Sequence, residues 1–247
     1  MSPPPFRIKP YGPKAVLLEW PARLEMEILF DILGFAAYLK KGRLEEPRWE
    51  YVPIYHSLTL ICRDEPVNLE SLASELRSWY QSYPGPDAIQ TRYWELPVCY
   101  DPEFGLDLEE AAQILKISPE TLIRKHCDTT YRVFGIGFLP GFLYLGGVPD
   151  ELRLPRKASP RARVPKGSVG LADRQTGIYP QTSPGGWNIL GKCPIPVFDP
   201  LREPPSFIAL GDSIRFRAVS RAEFDLHRIE AEVGVYDYSK KYGNAAG

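Results

Sequence analysis

Between Gly135 and Gly191 the chain carries eleven of its 20 glycines, interleaved with prolines and aromatic residues. Glycine admits positive φ and close backbone approach, and proline fixes φ. A stretch built this way cannot hold long helices. It makes rigid, irregular loops and short strands, and such loops commonly carry binding sites on a barrel scaffold. Hairpin turns in an all-β domain would need the same residues, so composition leaves both readings open.

The surrounding sequence is that of an ordinary globular protein. It has 247 residues, a formal net charge of −1 and 44 % hydrophobic residues. That length accommodates one large domain or two modest ones. The charge balance argues against a nucleic-acid partner, which calls for a basic face. No apolar run approaches the roughly 18–20 residues of a bilayer span. Met1-Ser2-Pro3-Pro4-Pro5-Phe6 lacks the basic start and apolar core of a signal peptide, so a cytoplasmic location is expected. The cysteines (Cys62, Cys99, Cys127, Cys193) and histidines (His56, His126, His227) are scattered, with no C-x-x-C, H-x-H or H-E-x-x-H spacing. No metal held by this chain alone is expected.

The first part reads as a small α+β unit. Residues 15–20 suit a strand. Apolar residues at Ile28, Leu29, Ile32, Leu33, Ala36 and Ala37 give one helical stripe over residues 24–40, with Gly42 at the C-terminal stop. Strand-like runs follow at 49–55 and 58–62, then a helix from Leu69 to about Tyr80 capped by Asn68. This order fits a two-layer sandwich, ferredoxin-like in part. Pro and Gly concentrate at 82–87, so the expected domains are 1–83 and 88–247.

The second part opens with a strand at 92–99. Asp107 and Glu110 form a capping-box-like start for one short helix; Ser118 and Pro119 start another, running to about His126. After a strand at 131–136, helical periodicity disappears. Short apolar runs at 168–171, 187–190, 196–198, 207–209 and 214–218 alternate with turns, which suggests a β-barrel or sandwich.

Within the dense stretch, the segment from Gly137 to Gly147 lacks both the G-K-[ST] of a phosphate loop and a G-x-G-x-x-G, and its aromatics suit an apolar pocket wall. Residues 153–166 hold Arg153, Arg156, Lys157, Arg161, Arg163 and Lys166 and no acid. They read either as a solvated loop or as an arginine fork for a carboxylate or phosphate. Gln175, Thr176 and Tyr179 supply hydrogen-bonding groups. Ser183 lacks a G-x-S-x-G elbow and reads as a turn residue. His126 reads as a structural histidine near a helix end, with a general base as the alternative.

Five motifs then occur together and in order: residues 134–147; Pro155-Arg156 with Pro160-Arg161; Val164-Pro165-Lys166-Gly167-Ser168-Val169-Gly170; residues 175–180; and Ser183-Pro184-Gly185-Gly186-Trp187. This set resembles the 5-oxoprolinase B-subunit family, also called allophanate hydrolase subunit 1, which includes Kip-type inhibitors of a sporulation histidine kinase. The match is dense over residues 92–200. The resemblance implies an α+β N-terminal domain followed by a mainly-β, cyclophilin-like barrel. It implies two partners, the A and C subunits of 5-oxoprolinase, with which 5-oxo-L-proline is hydrolysed to L-glutamate while ATP is consumed. ATP is therefore an expected cofactor of the assembly, and little activity is expected of this chain alone. No C-subunit sequence is expected before the end at Gly247. The motif positions carried over are His126, Phe138, Pro140, Gly141, Tyr144, Arg156, Arg161, Gln175, Thr176, Tyr179, Ser183, Gly185, Gly186 and Trp187. Arg156 and Arg161 are candidates for anion binding, assisted by Gln175 and Thr176. Backbone N–H groups near Gly185 and Gly186 are candidates for stabilising developing charge, and His126 or Tyr179 for moving a proton. The alternative function is a docking module that inhibits a histidine kinase.

Overall fold

The computed structural model describes residues 5–238; residues 1–4, with Pro3 and Pro4 of the proline run, and residues 239–247 lie outside them. The chain divides into two compact units, Met1–Gln90 and Thr91–Gly247.

In the first unit, strands β1 (Arg7–Pro10), β2 (Ala15–Glu19), β3 (Trp49–Ile54) and β4 (Ser57–Cys62) form an antiparallel sheet in the order β1-β2-β4-β3. Alternate residues of the central pair, Val16, Leu18, Leu58 and Leu60, are fully buried. They pack with Ile32, Phe35 and Leu39 of helix α1 (Met26–Lys40) and Leu72 and Leu76 of helix α2 (Leu69–Gln81). A period of two on the strands meets a period of 3.6 on the helices, so one apolar layer fills the space between them. Asn68 caps α2 by accepting from the Ser71 N–H at 3.1 Å. The sheet has one strand more than the sequence pattern suggests, because β1 is mostly exposed and carries no apolar alternation.

The second unit begins with β5 (Tyr93–Val98), α3 (Leu108–Leu115) and α4 (Pro119–Asp128), then β6 (Thr130–Ile136) and β7 (Leu143–Gly146). After them come β8 (Arg161–Val164), β9 (Ser168–Ala172), β10 (Gln175–Ile178), β11 (Ser183–Gly185), β12 (Asn188–Lys192), β13 (Ser213–Ala218) and helix α5 (Arg221–Glu232). Seven strands form one sheet in the order β12-β9-β10-β7-β6-β13-β5. The outer strands of that sheet meet: Cys99, just past β5, and Lys192, at the end of β12, exchange both backbone hydrogen bonds at 2.9 Å. The sheet is thus curled until its edges touch. Leu96, Tyr131, Val133, Leu145, Leu171, Leu190 and Phe216 fill its interior. The architecture is mixed α/β. β8 and β11 pair only with each other, as a separate ribbon.

Three features of this unit correct the sequence reading. Helical periodicity does not end at β6: α5 follows β13, announced by a capping box in which Ser220 and Glu223 satisfy each other's backbone N–H groups. The runs at 196–198 and 207–209 are not strands. Pro194, Pro196, Pro204 and Pro205 remove the donors that pairing needs, although Val197 and Ile208 are buried. Asp107 precedes α3 at the N-cap position but makes no side-chain cap, because its carboxylate is used elsewhere.

Candidate functional site

The tight turn from Gly137 to Phe142 joins β6 to β7. It is held by Gly137 N–H to Phe142 C=O at 3.1 Å and Phe142 N–H to Leu139 C=O at 2.9 Å. Gly141 has φ +81°, and a Cβ there would run into the Phe198 ring, so the turn seats against Phe198 only with glycine. Phe138 adopts φ +67° and is 85 % exposed. Positive φ is a costly conformation for a bulky side chain, and such strain concentrates at functional sites.

Beside this turn lies a cleft of about 300 Å³, lined by Phe138, Leu139, Phe142, Tyr144, Arg156, Tyr179 and the segment from Pro184 to Trp187. Its walls are an aromatic box. Phe142 meets Tyr179 edge-on at 5.0 Å and Trp187 edge-on at 5.4 Å, and Tyr144 lies 4.7 Å from Phe142. Quadrupole-matched edge contacts of this kind fix ring orientation as well as adding apolar cover. The Tyr179 hydroxyl sits under the Gly185–Trp187 backbone. Any Cβ on Gly185 would overlap it. Burial pushes the Tyr179 and Tyr144 phenols up from their ordinary range, with Arg156 working against the shift. Both therefore keep their protons near neutral pH and act as donors rather than bases. Among the described residues Arg156 is exposed and has no carboxylate partner. Its charge is available to the cleft.

The other expected site residues lie elsewhere. His126 is completely buried in the core. Its Nδ1 is 2.8 Å from the Tyr100 hydroxyl, its Nε2 is 3.0 Å from Thr176 Oγ1, and its ring stacks on Phe216 at 4.7 Å. Burial lowers its pKa to about 3, so it is a neutral bridging histidine. The general-base reading of His126 gives way to a structural one, because neither ring nitrogen reaches the cleft. Thr176, also fully buried, donates to Gly170 C=O at 3.0 Å and belongs to the same network. Gln175 is half-buried in β10 opposite Ala172 and Gly146. Ser183 is buried in the β8–β11 ribbon, where its hydroxyl donates to Pro184 C=O. Pro140 is exposed in the Phe138 turn.

Arg161 does not face the cleft with a free charge. It forms a bidentate pair with Asp107, Nη1 to Oδ2 at 2.7 Å and Nη2 to Oδ1 at 2.6 Å. Lys157 Nζ adds 2.8 Å to Asp107 and 2.7 Å to Glu110. Burial raises the Asp107 carboxyl, but Arg161, Lys157 and the Ile189 N–H outweigh it and hold the acid below its usual range. By its place in the sequence Asp107 is a helix cap. Its second role is signalled by the six basic residues in 153–166 with no local acid, which need a counter-charge from another element.

Among the described residues, no group of three or more His, Cys, Asp or Glu is placed to hold a metal ion. No helix among them is long and apolar enough to cross a membrane. The four cysteines are free thiols.

Residues 6–208 match the family model described as carboxyltransferase domain, subdomain C and D. The B subunit of 5-oxoprolinase from Bacillus subtilis (strain 168) is 32 % identical over 235 residues, spanning 92 % of this chain and 98 % of the relative. The protein of the same name from Haemophilus influenzae is 36 % identical over 211 residues, 85 % of this chain and 97 % of its own. The chain belongs to the 5-oxoprolinase B-subunit family. Family membership thereby places it among the subunits of a multi-subunit hydrolase, where it works with other chains. Among solved structures, TTHA0988 superposes with a TM-score of 0.72 at 37 % identity, covering 84 % of this chain and 40 % of the longer one. Kluyveromyces lactis urea carboxylase shares the fold, with a TM-score of 0.77 at 15 % identity over 94 % of this chain and 23 % of that one.

Proposed function

We propose that the chain is the B subunit of an ATP-dependent 5-oxoprolinase, acting with the A and C subunits to convert 5-oxo-L-proline to L-glutamate, and that the aromatic cleft holds the substrate. The observation that carries this reading is the exposed Arg156 guanidinium, without a carboxylate partner among the described residues, at the edge of an aromatic box. 5-Oxoproline is a small, flat lactam with one carboxylate. Its ring suits the walls formed by Phe142, Tyr144 and Trp187, and its carboxylate suits a planar guanidinium that can bind two oxygens at once. In this reading Tyr179, packed under Gly185 and kept protonated by burial, donates to the lactam oxygen. A donor aimed where negative charge develops lowers the barrier to ring opening.

The cleft does not suit a nucleoside triphosphate. Its lining residues include no helix N-terminus and a single cation, Arg156, whereas a triphosphate calls for several donors. We therefore assign ATP to the partner subunits and expect this chain to be inactive alone. The second unit fits a cyclophilin-like barrel, supported by the seven-stranded curl that closes at Cys99 and Lys192. A cytoplasmic location follows from the proposed substrate and partners. The kinase-inhibitor alternative has no supporting feature: the relatives reported above are both named as 5-oxoprolinase subunits.

Co-purification with a homologue of the C subunit, followed by addition of the A subunit, tests the proposal. 5-Oxoproline-dependent ATP hydrolysis by the assembly is the expected result. Recovery of a histidine kinase in place of the C subunit would overturn it.

A further inference from the structure

We propose that Asp107 is a positioning residue for the cleft: its buried carboxylate anchors Lys157, the residue next to Arg156, together with Arg161, and with Glu110 it balances these two cations. This rests on the assignment of the cleft as the 5-oxoproline site.

The Asp107 side chain is 1 % exposed and stands before α3, where its ordinary task would be to cap that helix. Instead it receives four hydrogen bonds from three other segments: two from Arg161, one from Lys157 Nζ and one from the Ile189 N–H at 2.7 Å. Lys157 follows Arg156 directly, and Arg161 lies opposite Gly185 in the β8–β11 ribbon. Between these anchors the loop touches the far rim of the cleft. Lys157 N–H donates to Gly186 C=O at 2.8 Å, and a Cβ on Gly186 would lie 3.5 Å from the Pro160 ring. One carboxylate therefore clamps residues 157 and 161, and the loop between them lies along Gly186.

This clamp has two consequences for the cleft. Arg156 starts from a backbone anchored at the next residue, which lowers the cost of ordering the loop when a ligand binds. Lys157 and Arg161 are also balanced where they stand by Asp107 and Glu110 together, which leaves Arg156 as the cation that meets a carboxylate. Without Asp107, Arg161 loses its carboxylate partner and Lys157 keeps only Glu110, so a half-buried cation competes with Arg156 for the same anion.

Asp107→Asn in the reconstituted complex of all three subunits tests the idea. The expected result is a KM for 5-oxoproline raised about tenfold, with kcat changed by less than about twofold, because ground-state positioning is lost and the chemistry is not. In an Arg156→Ala background the same substitution is expected to add less than about twofold to KM, because both changes act through one contact. Lys157→Met, which leaves the Arg161 pair intact, serves if Asp107→Asn does not fold; a KM rise of about threefold is expected there. An unchanged KM in whichever of these variants folds, beside a raised KM in Arg156→Ala, overturns the positioning role alone. So does a full tenfold effect of Asp107→Asn on top of Arg156→Ala. An unchanged KM in Arg156→Ala overturns the cleft assignment itself, and the role of Asp107 with it.

Discussion

Two polar clusters of the second unit differ in one respect that decides what each can do. In the core, His126, Tyr100 and Thr176 bond to one another, and both ring nitrogens of the histidine are engaged out of reach of water. At the cleft, Arg156 stands without a carboxylate partner among the described residues, next to two phenols that burial keeps protonated. Both clusters carry residue types that perform catalysis. Only the cleft cluster has hydrogen-bonding capacity left over for a ligand. A saturated polar network holds a fold together, whereas an unsaturated one is available for chemistry.

The sharpest way to break this comparison is to remove the centre of the core network. His126→Ala is expected to cost about 3 kcal/mol of stability, because it opens a cavity and takes away the buried Tyr100 hydroxyl's histidine partner. Turnover per folded molecule should be unaltered. Denaturant melts alongside assays corrected for folded fraction check both halves, and lost turnover in stably folded protein would move His126 into the chemistry. Arg156→Ala should do the reverse: kcat/KM falls about 100-fold, or about 2.7 kcal/mol, at unchanged Tm.

A pH series sharpens the contrast further. The pKa of His126 falls from its ordinary value to about 3 on folding. The unfolded chain therefore binds a proton that the native state refuses. The stability linked to His126 is complete above its unfolded pKa, about 6.5, and drains away as the pH falls towards 3, amounting to about 2 kcal/mol by pH 5. His126→Gln should flatten the melting profile between pH 7.5 and 5; an equally steep profile would show that other groups carry the acid sensitivity. Tyr179→Phe keeps the ring and loses the donor, so kcat should fall about tenfold while the fold holds. Phe138→Ala, at the exposed mouth, is the mildest change: KM should rise about threefold as apolar cover is lost.

Much of the fold was legible because its signals are local. The α1 stripe, the Asn68 and Ser118 caps and the alternation of β2 and β4 each declare themselves within a few residues. What escaped depends on distant partners. β1 has no apolar pattern of its own and exists by pairing with β2. α5 went unread although Ser220 and Glu223 spell its capping box, since the β-rich sequence before it set the expectation. The cleft was half legible: Phe138, Tyr144, Arg156, Tyr179, Gly185, Gly186 and Trp187 stand together, as their shared stretch suggested. His126 and Arg161 were not separable from them by residue type. A histidine near a barrel motif looks the same in sequence whether its ring turns inwards or out. Arg161 is spoken for by Asp107, 54 residues away.

The meeting of Cys99 with Lys192 has a consequence for how the molecule is made. β5 is the first strand of its unit to leave the ribosome, yet its parallel neighbour β13 spans Ser213–Ala218, and Asp212 holds Arg92 N–H and Trp94 Nε1 at 2.8 Å. The earliest strand of the curled sheet thus waits for the latest before the sheet can be completed. A nascent chain halted before residue 212 exposes an apolar strand with no mate, which makes completion of synthesis, rather than any single contact, the event that commits this unit to its shape.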